Sequence, residues 1–250
     1  MASRNSSPRS GPARAGGFAT THWSIIAAAR DPAAPEAREA LATLCAAYWY
    51  PLYVFIRRQG YSADEARDLT QGFFTAVLEK QALAVADPAR GKFRSFLLTV
   101  CKHYLSHERH RARAQKRGGG RRTVSLDFGD AEARYAREPT HTLTPDKLFA
   151  RRWAMTLLDQ VLCRLRDEFA ARGKAALFDC LRVFLLGEKN ALPHARAAAD
   201  LGMTEGAVKA AAHRLRGRFR ELVREEIAQT VDRTEDIEEE IRELFGALTS

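Results

Sequence analysis

The sequence predicts an all-α protein of two small helical domains joined by a flexible linker. Three observations carry that expectation. Apolar residues recur at the helical period along most of the chain. Strand-like alternation is scarce. Between two patterned stretches, residues 118–145 mix Gly, Arg, Asp, Thr and Pro without period, as a linker does. A chain of 250 residues with 46% apolar content has room for cores of this size. Its formal net charge of +9 favours a polyanionic partner, nucleic acid or an anionic surface.

Each element has a local reason. Residues 1–17 are rich in Ser, Arg, Gly and Pro, lack an apolar signal-like run, and read as a disordered tail. The first domain spans 18–117. Thr20 or Thr21 caps a short helix that Asp31-Pro32 ends. From Pro35 the next helix sets Leu41, Leu44, Cys45, Tyr48, Leu52, Phe55 and Ile56 on one face, and Pro51 is expected to kink or split it. Gly60 stops that run, and Ser62 with Glu65 forms a capping box for a helix to about Gln81. Residues 87–91 make a turn. A long helix then runs from Phe93 to Arg117, apolar through Phe93, Phe96, Leu97, Val100, Tyr104 and Leu105. The second domain, 146–230, reads as helices near 146–171, 174–187, 191–200 and 204–227. Residues 231–250 form an acidic amphipathic tail with Ile237, Ile241, Leu244, Phe245 and Leu248 on one face. Such a tail suits an autoinhibitory fold-back on a basic face, docking on a partner, or simple packing on the second domain.

No stretch reads as long and apolar enough to cross a bilayer, so no membrane insertion is expected. Cys45, Cys101, Cys163 and Cys180 form no CxxC pair, and read as buried free thiols of a reducing, cytoplasmic compartment.

Two constellations point to function. The long helix loses its apolar stripe after Leu105. From Lys102 to Arg122 there are eight Lys or Arg, three His and one acid, where a solvated face would interleave both signs. One dominant sign suits phosphate contacts. The second constellation is LPHARAAADLGMTEGAVKAAAHRLRGRFREL at 192–222. Small Ala195, Ala198 and Ala199 permit a close helix crossing, Gly202 accepts a left-handed turn, and Thr204 caps the following helix. Val208, Leu215 and Phe219 are expected inside, with Lys209, His213, Arg214, Arg216, Arg218 and Arg220 outside. This is the logic of a helix-turn-helix, whose second helix offers its first turns to the major groove.

Residues 36–117 and 150–227 resemble regions 2 and 4 of the extracytoplasmic-function sigma factors of bacterial RNA polymerase. DEARDLTQGFF at 64–74 is similar to that family's polymerase-contact motif, and GKFRSFLLTVCKHYLSHERHRARAQKR at 91–117 to its promoter-melting helix. The phrases TTHWSII and YWYPLY, and the tail after the second domain, resemble a planctomycete and proteobacterial branch. The resemblance implies a factor that takes core polymerase to promoters, melting the −10 element and binding the −35 element. It implies polymerase contacts at Asp64, Asp68, Leu69, Gln71 and Phe74. It implies −10 contacts, including the melted non-template strand, at Arg94, Lys102, His103, Arg109, Arg111, Arg113, Lys116 and Arg117. It implies −35 contacts on double-stranded DNA at Thr204, Glu205, Lys209, His213, Arg214, Arg216 and Arg218. An anti-sigma factor is a further implied partner. The chain departs from the family pattern at Arg67, Gly72, Phe96 and His103, and at Ala210, Ala211 and Ala212 of the recognition helix.

The same residues admit other readings. A DNA-binding regulator would share the helix-turn-helix without needing the 64–74 motif. A metal-dependent enzyme would use His103, His107 and His110, which stand at i, i+4 and i+7. Position 111 is Arg, so this is no HExxH motif, and the surrounding arginines repel a dication. Gly118-Gly119-Gly120 lacks the Gly-Lys-Ser/Thr ending of a phosphate loop. A membrane-surface protein would need a bulky apolar face beside the arginines. No enzyme activity, cofactor or metal is expected.

Overall fold

A computed structural model describes residues 23–29, 36–79, 82–87, 89, 91–114, 126–138, 143–185, 194–231 and 233–249. Among them every regular element is helical and there is no strand, so the chain is all-α. The helices are α1 (Trp23–Ala29), α2 (Ala37–Arg58), α3 (Ala63–Glu79), α4 (Phe93–Ala114), α5 (Ala131–Tyr135), α6 (Pro145–Ala171), α7 (Ala175–Leu181), α8 (His194–Leu201), α9 (Glu205–Ala228) and α10 (Ile237–Thr249). The expected caps at Thr20 and Thr21 and the 1–17 tail lie outside the described residues.

Helix α2 is the spine of the N-terminal half. α1, α3 and α6 pack on it, and α7, α9 and α10 pack on α6 in turn. Pro51 does not split α2. It is buried inside one unbroken helix, where neighbours hold the turn that has lost a backbone donor. From Ala40 to Ile56 this helix has no charged residue, so by length and composition it would reach across a bilayer, contrary to the expectation from the sequence. Its apolar stretch is 67% buried within the molecule, as befits a core helix.

Local chemistry explains the boundaries. Glu65 accepts from both the backbone N–H and the hydroxyl of Ser62 at 2.8 Å, and the Glu65 N–H donates back to Ser62 Oγ at 3.3 Å. Thr144 caps α6 by accepting from the Lys147 N–H at 3.3 Å, with Pro145 in the first turn. Gly60 ends α2 at φ 93°, a left-handed conformation open to glycine.

The stretch expected to be a flexible linker is not featureless. Residues 126–138 fold onto α2. Phe128 lodges between Trp49 and Tyr53, with ring centroids 5.3 and 5.7 Å away. Glu132 on α5 accepts from Arg57 Nη2 at 2.6 Å and from the Tyr53 hydroxyl at 2.5 Å. Glu138 is buried, accepts from the Tyr50 hydroxyl at 3.1 Å, and pairs with Arg152 of α6. Aromatic burial and shared carboxylates, invisible to periodicity, order this segment. One continuous buried cluster runs from Ile26 of α1 through α2 and α6 to Leu244 of α10.

The thiol expectation needs correction at Cys163, which is exposed on α6, while Cys180 is half-buried. Cys45 and Cys101 are buried, and burial pushes their pKa values up to about 11 and about 12.

Candidate nucleic-acid interface

The first candidate surface is the outer half of α4. The helix begins against an aromatic cluster, with Phe93 edge-on to Trp23 and Tyr48 at 5.9 and 5.7 Å. Phe93, Leu97, Cys101 and Leu105 are buried at successive i, i+4 positions of one helix face. Beyond Leu105 the apolar anchors stop, and His107, Arg109, His110 and Arg111 stand exposed, as does His103 one turn earlier. Arg109 is held upright by donating to the Tyr61 hydroxyl and to Gln59 Oε1, both at 2.8 Å, and its guanidinium lies 5.4 Å from the Tyr61 ring. Arg111 pairs with Glu108 at 3.1 Å. Arg113 lies on α4, whereas Lys116 and Arg117 fall outside the described residues.

Two residues expected on this surface are engaged elsewhere. Lys102 pairs with Asp146 at the start of α6. Arg94 is turned inward. It donates to Glu240 Oε1 and Oε2 at 2.8 Å and to Glu243 at 2.7 Å, and lies 4.5 Å from the Trp153 ring. Burial works against its charge, but these carboxylates keep its pKa above the ordinary arginine value. Arg94 is thus not a free phosphate contact here, because the tail supplies its counter-charge.

The second surface is the α8–α9 pair. Gly202 takes φ 61° in the turn, and Thr204 caps α9 by accepting from the Ala207 N–H at 3.2 Å. The crossing is made by Ala197 and Ala198, which are buried; the expected Ala195 and Ala199 are exposed. Val208, Leu215, Ala211 and Ala212 face the core, and Phe219 is half-buried. The alanine run is therefore mostly packing surface, with only Ala210 on the outer face. Exposed there are Glu205, Lys209, His213 and Arg214. Glu205 and Lys209 pair at 2.6 Å, which lowers the Glu205 pKa.

Further along α9 the arginines turn to structural work. Arg216 donates to the Phe184 carbonyl at 3.2 Å. Arg218 meets Glu168 at 2.9 Å, Glu221 at 2.9 Å and Glu225 at 3.1 Å, and this network holds its pKa above the ordinary value. Both were expected outside; the acids of α6 and of α9 itself draw Arg218 in.

A third set lies on α3. Asp64 and Asp68 are exposed, Leu69 and Gln71 are half-buried, and Asp64 pairs loosely with Arg67 at 3.4 Å. Phe74 is a core residue, 5.5 Å from Phe73 edge-to-face, and does not present its ring to a partner. Gly72 abuts Tyr104 of α4: a Cβ there would run into the tyrosine hydroxyl. Any larger side chain at position 72 would require the Tyr104 ring to shift.

His103, His107 and His110 are exposed, and among the described residues no three His, Cys, Asp or Glu side chains converge as a metal would require. Lys92, which sequence reasoning passed over, joins Arg94 in binding Glu240 and Glu243. Its partners lie about 150 residues away in the chain, so no local signal marks it. Compared with known proteins, the chain matches no family model, no curated protein and no solved structure.

Proposed function

We propose that this protein is a sigma-type initiation factor that directs RNA polymerase to promoter DNA. The observation that supports the reading best is the α8–α9 unit. A Gly202 turn and a Thr204 cap aim the exposed Lys209, His213 and Arg214 outward from the first turns of a helix braced by α8. Two further surfaces agree with it. The cationic end of α4 suits the phosphates of a second element, here the −10 DNA. The exposed acids of α3, Asp64 and Asp68, suit a basic face of the core enzyme.

The mechanism is differential binding without covalent chemistry. Phosphate contacts bring the factor to DNA, and unstacking a base costs a few kcal/mol. Contacts to the separated strand offset that cost only at suitable sequences.

The test is binding to core polymerase. Asp68→Ala and Gln71→Ala, folded as judged by circular dichroism, are expected to lose most of their affinity for the core enzyme while keeping DNA affinity. Variants that bind the core enzyme like the parent remove the α3 assignment. A parent protein that binds DNA but never the core enzyme identifies a helix-turn-helix regulator instead.

A further inference from the structure

At the start of α4, Lys92 and Arg94 flank the buried Phe93. Both grip the same two carboxylates. Lys92 Nζ lies 2.5 Å from Glu240 and 2.7 Å from Glu243, and Arg94 Nη2 lies 2.8 and 2.7 Å from them. Trp153 of α6 floors the cluster beneath the Arg94 guanidinium. The Glu240 side chain is 1% exposed and the Glu243 side chain 46%. Two adjoining cations, one a planar fork, over an aromatic floor form a cradle for paired oxyanions, and carboxylate and phosphate fit such a fork alike. The carboxylates come from α10, which is anchored by Ile237 and Leu244, both buried. A buried ion pair is itself a weak source of stability, because desolvation offsets the attraction. The exposed basic residues of α4 lie further along the same helix, between His103 and Arg111. Arg94 lies about 22 Å from Arg109 along the axis, on the scale of six nucleotides at ~3.4 Å each.

We propose that Lys92 and Arg94 form a backbone-phosphate site at one end of the α4 nucleic-acid face, and that α10 is its intramolecular competitor. Glu240 and Glu243 hold the places of two phosphates, so DNA reaches the whole face only when α10 lets go. This rests on the DNA-binding reading above.

The full-length protein and Glu240→Gln/Glu243→Gln, which keeps side-chain size and the apolar anchors of α10, are titrated into labelled random-sequence duplex DNA across a salt series. The double variant is expected to bind about fivefold tighter or more at low salt. Its log–log salt slope is expected to steepen by about 1.8, two phosphates at ~0.9 each. In the unaltered protein, amide exchange across 237–249 is expected to speed up when DNA binds. Glu243→Gln alone, at the half-exposed carboxylate, is expected to fall between; with the exchange measurement it decides the matter if the double variant misfolds. Equal affinity and slope, with α10 still protected on DNA, overturn the competitor while leaving DNA binding in place. No DNA binding by any of these proteins overturns the DNA reading, and this site with it.

Discussion

The arginines of this chain divide by what they touch. Arg57, Arg94 and Arg218 are clamped by carboxylates of other elements, whereas Arg214 stands exposed on the outer face of α9. Arg218→Ala is expected to cost about 1 kcal/mol of stability, once solvent screening of this partly exposed network is allowed for, with little change in DNA affinity. His213→Ala/Arg214→Ala is expected to do the reverse: an unchanged melting temperature and DNA binding weakened about tenfold, the order of one lost base or phosphate contact. Thermal melts and anisotropy titrations on the same samples separate the two, and swapped outcomes would misplace the interface. The thiols offer a second check. Cys163 should react first with a thiol reagent, and Cys45 and Cys101, buried with raised pKa values, only on unfolding. At Gly72, alanine should forfeit the helix-propensity gain of about 1 kcal/mol because of Tyr104. In a Tyr104→Ala background that gain should return, a coupling readable in a double-mutant cycle.

At the scale of elements, capping chemistry and apolar periodicity were legible in the sequence. Ser62–Glu65, Thr204 and Gly202 announce their helix ends through residue types a few positions apart, and the described elements start or stop there. Thr204→Ala is expected to destabilise the protein by about 1 kcal/mol and to loosen the first turn of α9; an unchanged melting temperature would mean that the cap is redundant with packing. What was not legible depends on distant partners. Phe128 is ordered by rings 75–79 positions earlier in the chain, and Glu132 by Arg57. The inward turn of Arg94 needs the acids of α10, 146 and 149 positions later. Side-chain type alone places an arginine in solvent; only the fold brings it an acid. The same blindness affects the alanines of α8, where helical phase, rather than size, decides which of them meet α9.

At the scale of the whole molecule, the buried cluster is continuous from α1 to α10, with α6 packed against both α2 and α9. Unfolding is therefore expected as one calorimetric transition, with matching calorimetric and van't Hoff enthalpies; two separated transitions would show that the halves hold together weakly. Acid should weaken this assembly. Hydrogen bonds from Arg57 to Glu132 and from Arg218 to Glu168 lower both carboxyl pKa values, and Lys92 and Arg94 outweigh burial to lower that of Glu243. A carboxyl lowered on folding contributes stability above its unfolded pKa of about 4.3 and loses it as pH falls through the folded value. Asp159, raised by burial, works in the opposite sense. The melting temperature should hold from pH 7 to 5 and drop below about pH 4.3; a flat profile to pH 3 would mean these pairs add nothing. Transcription in vitro is the decisive test of whether these helices bring polymerase to promoters. Core RNA polymerase and a library of genomic promoter fragments are incubated with and without the protein. Transcripts are expected to start at a defined subset of fragments only when the protein is present, and to be lost with Asp68→Ala. Identical transcript profiles with and without the protein would contradict that role.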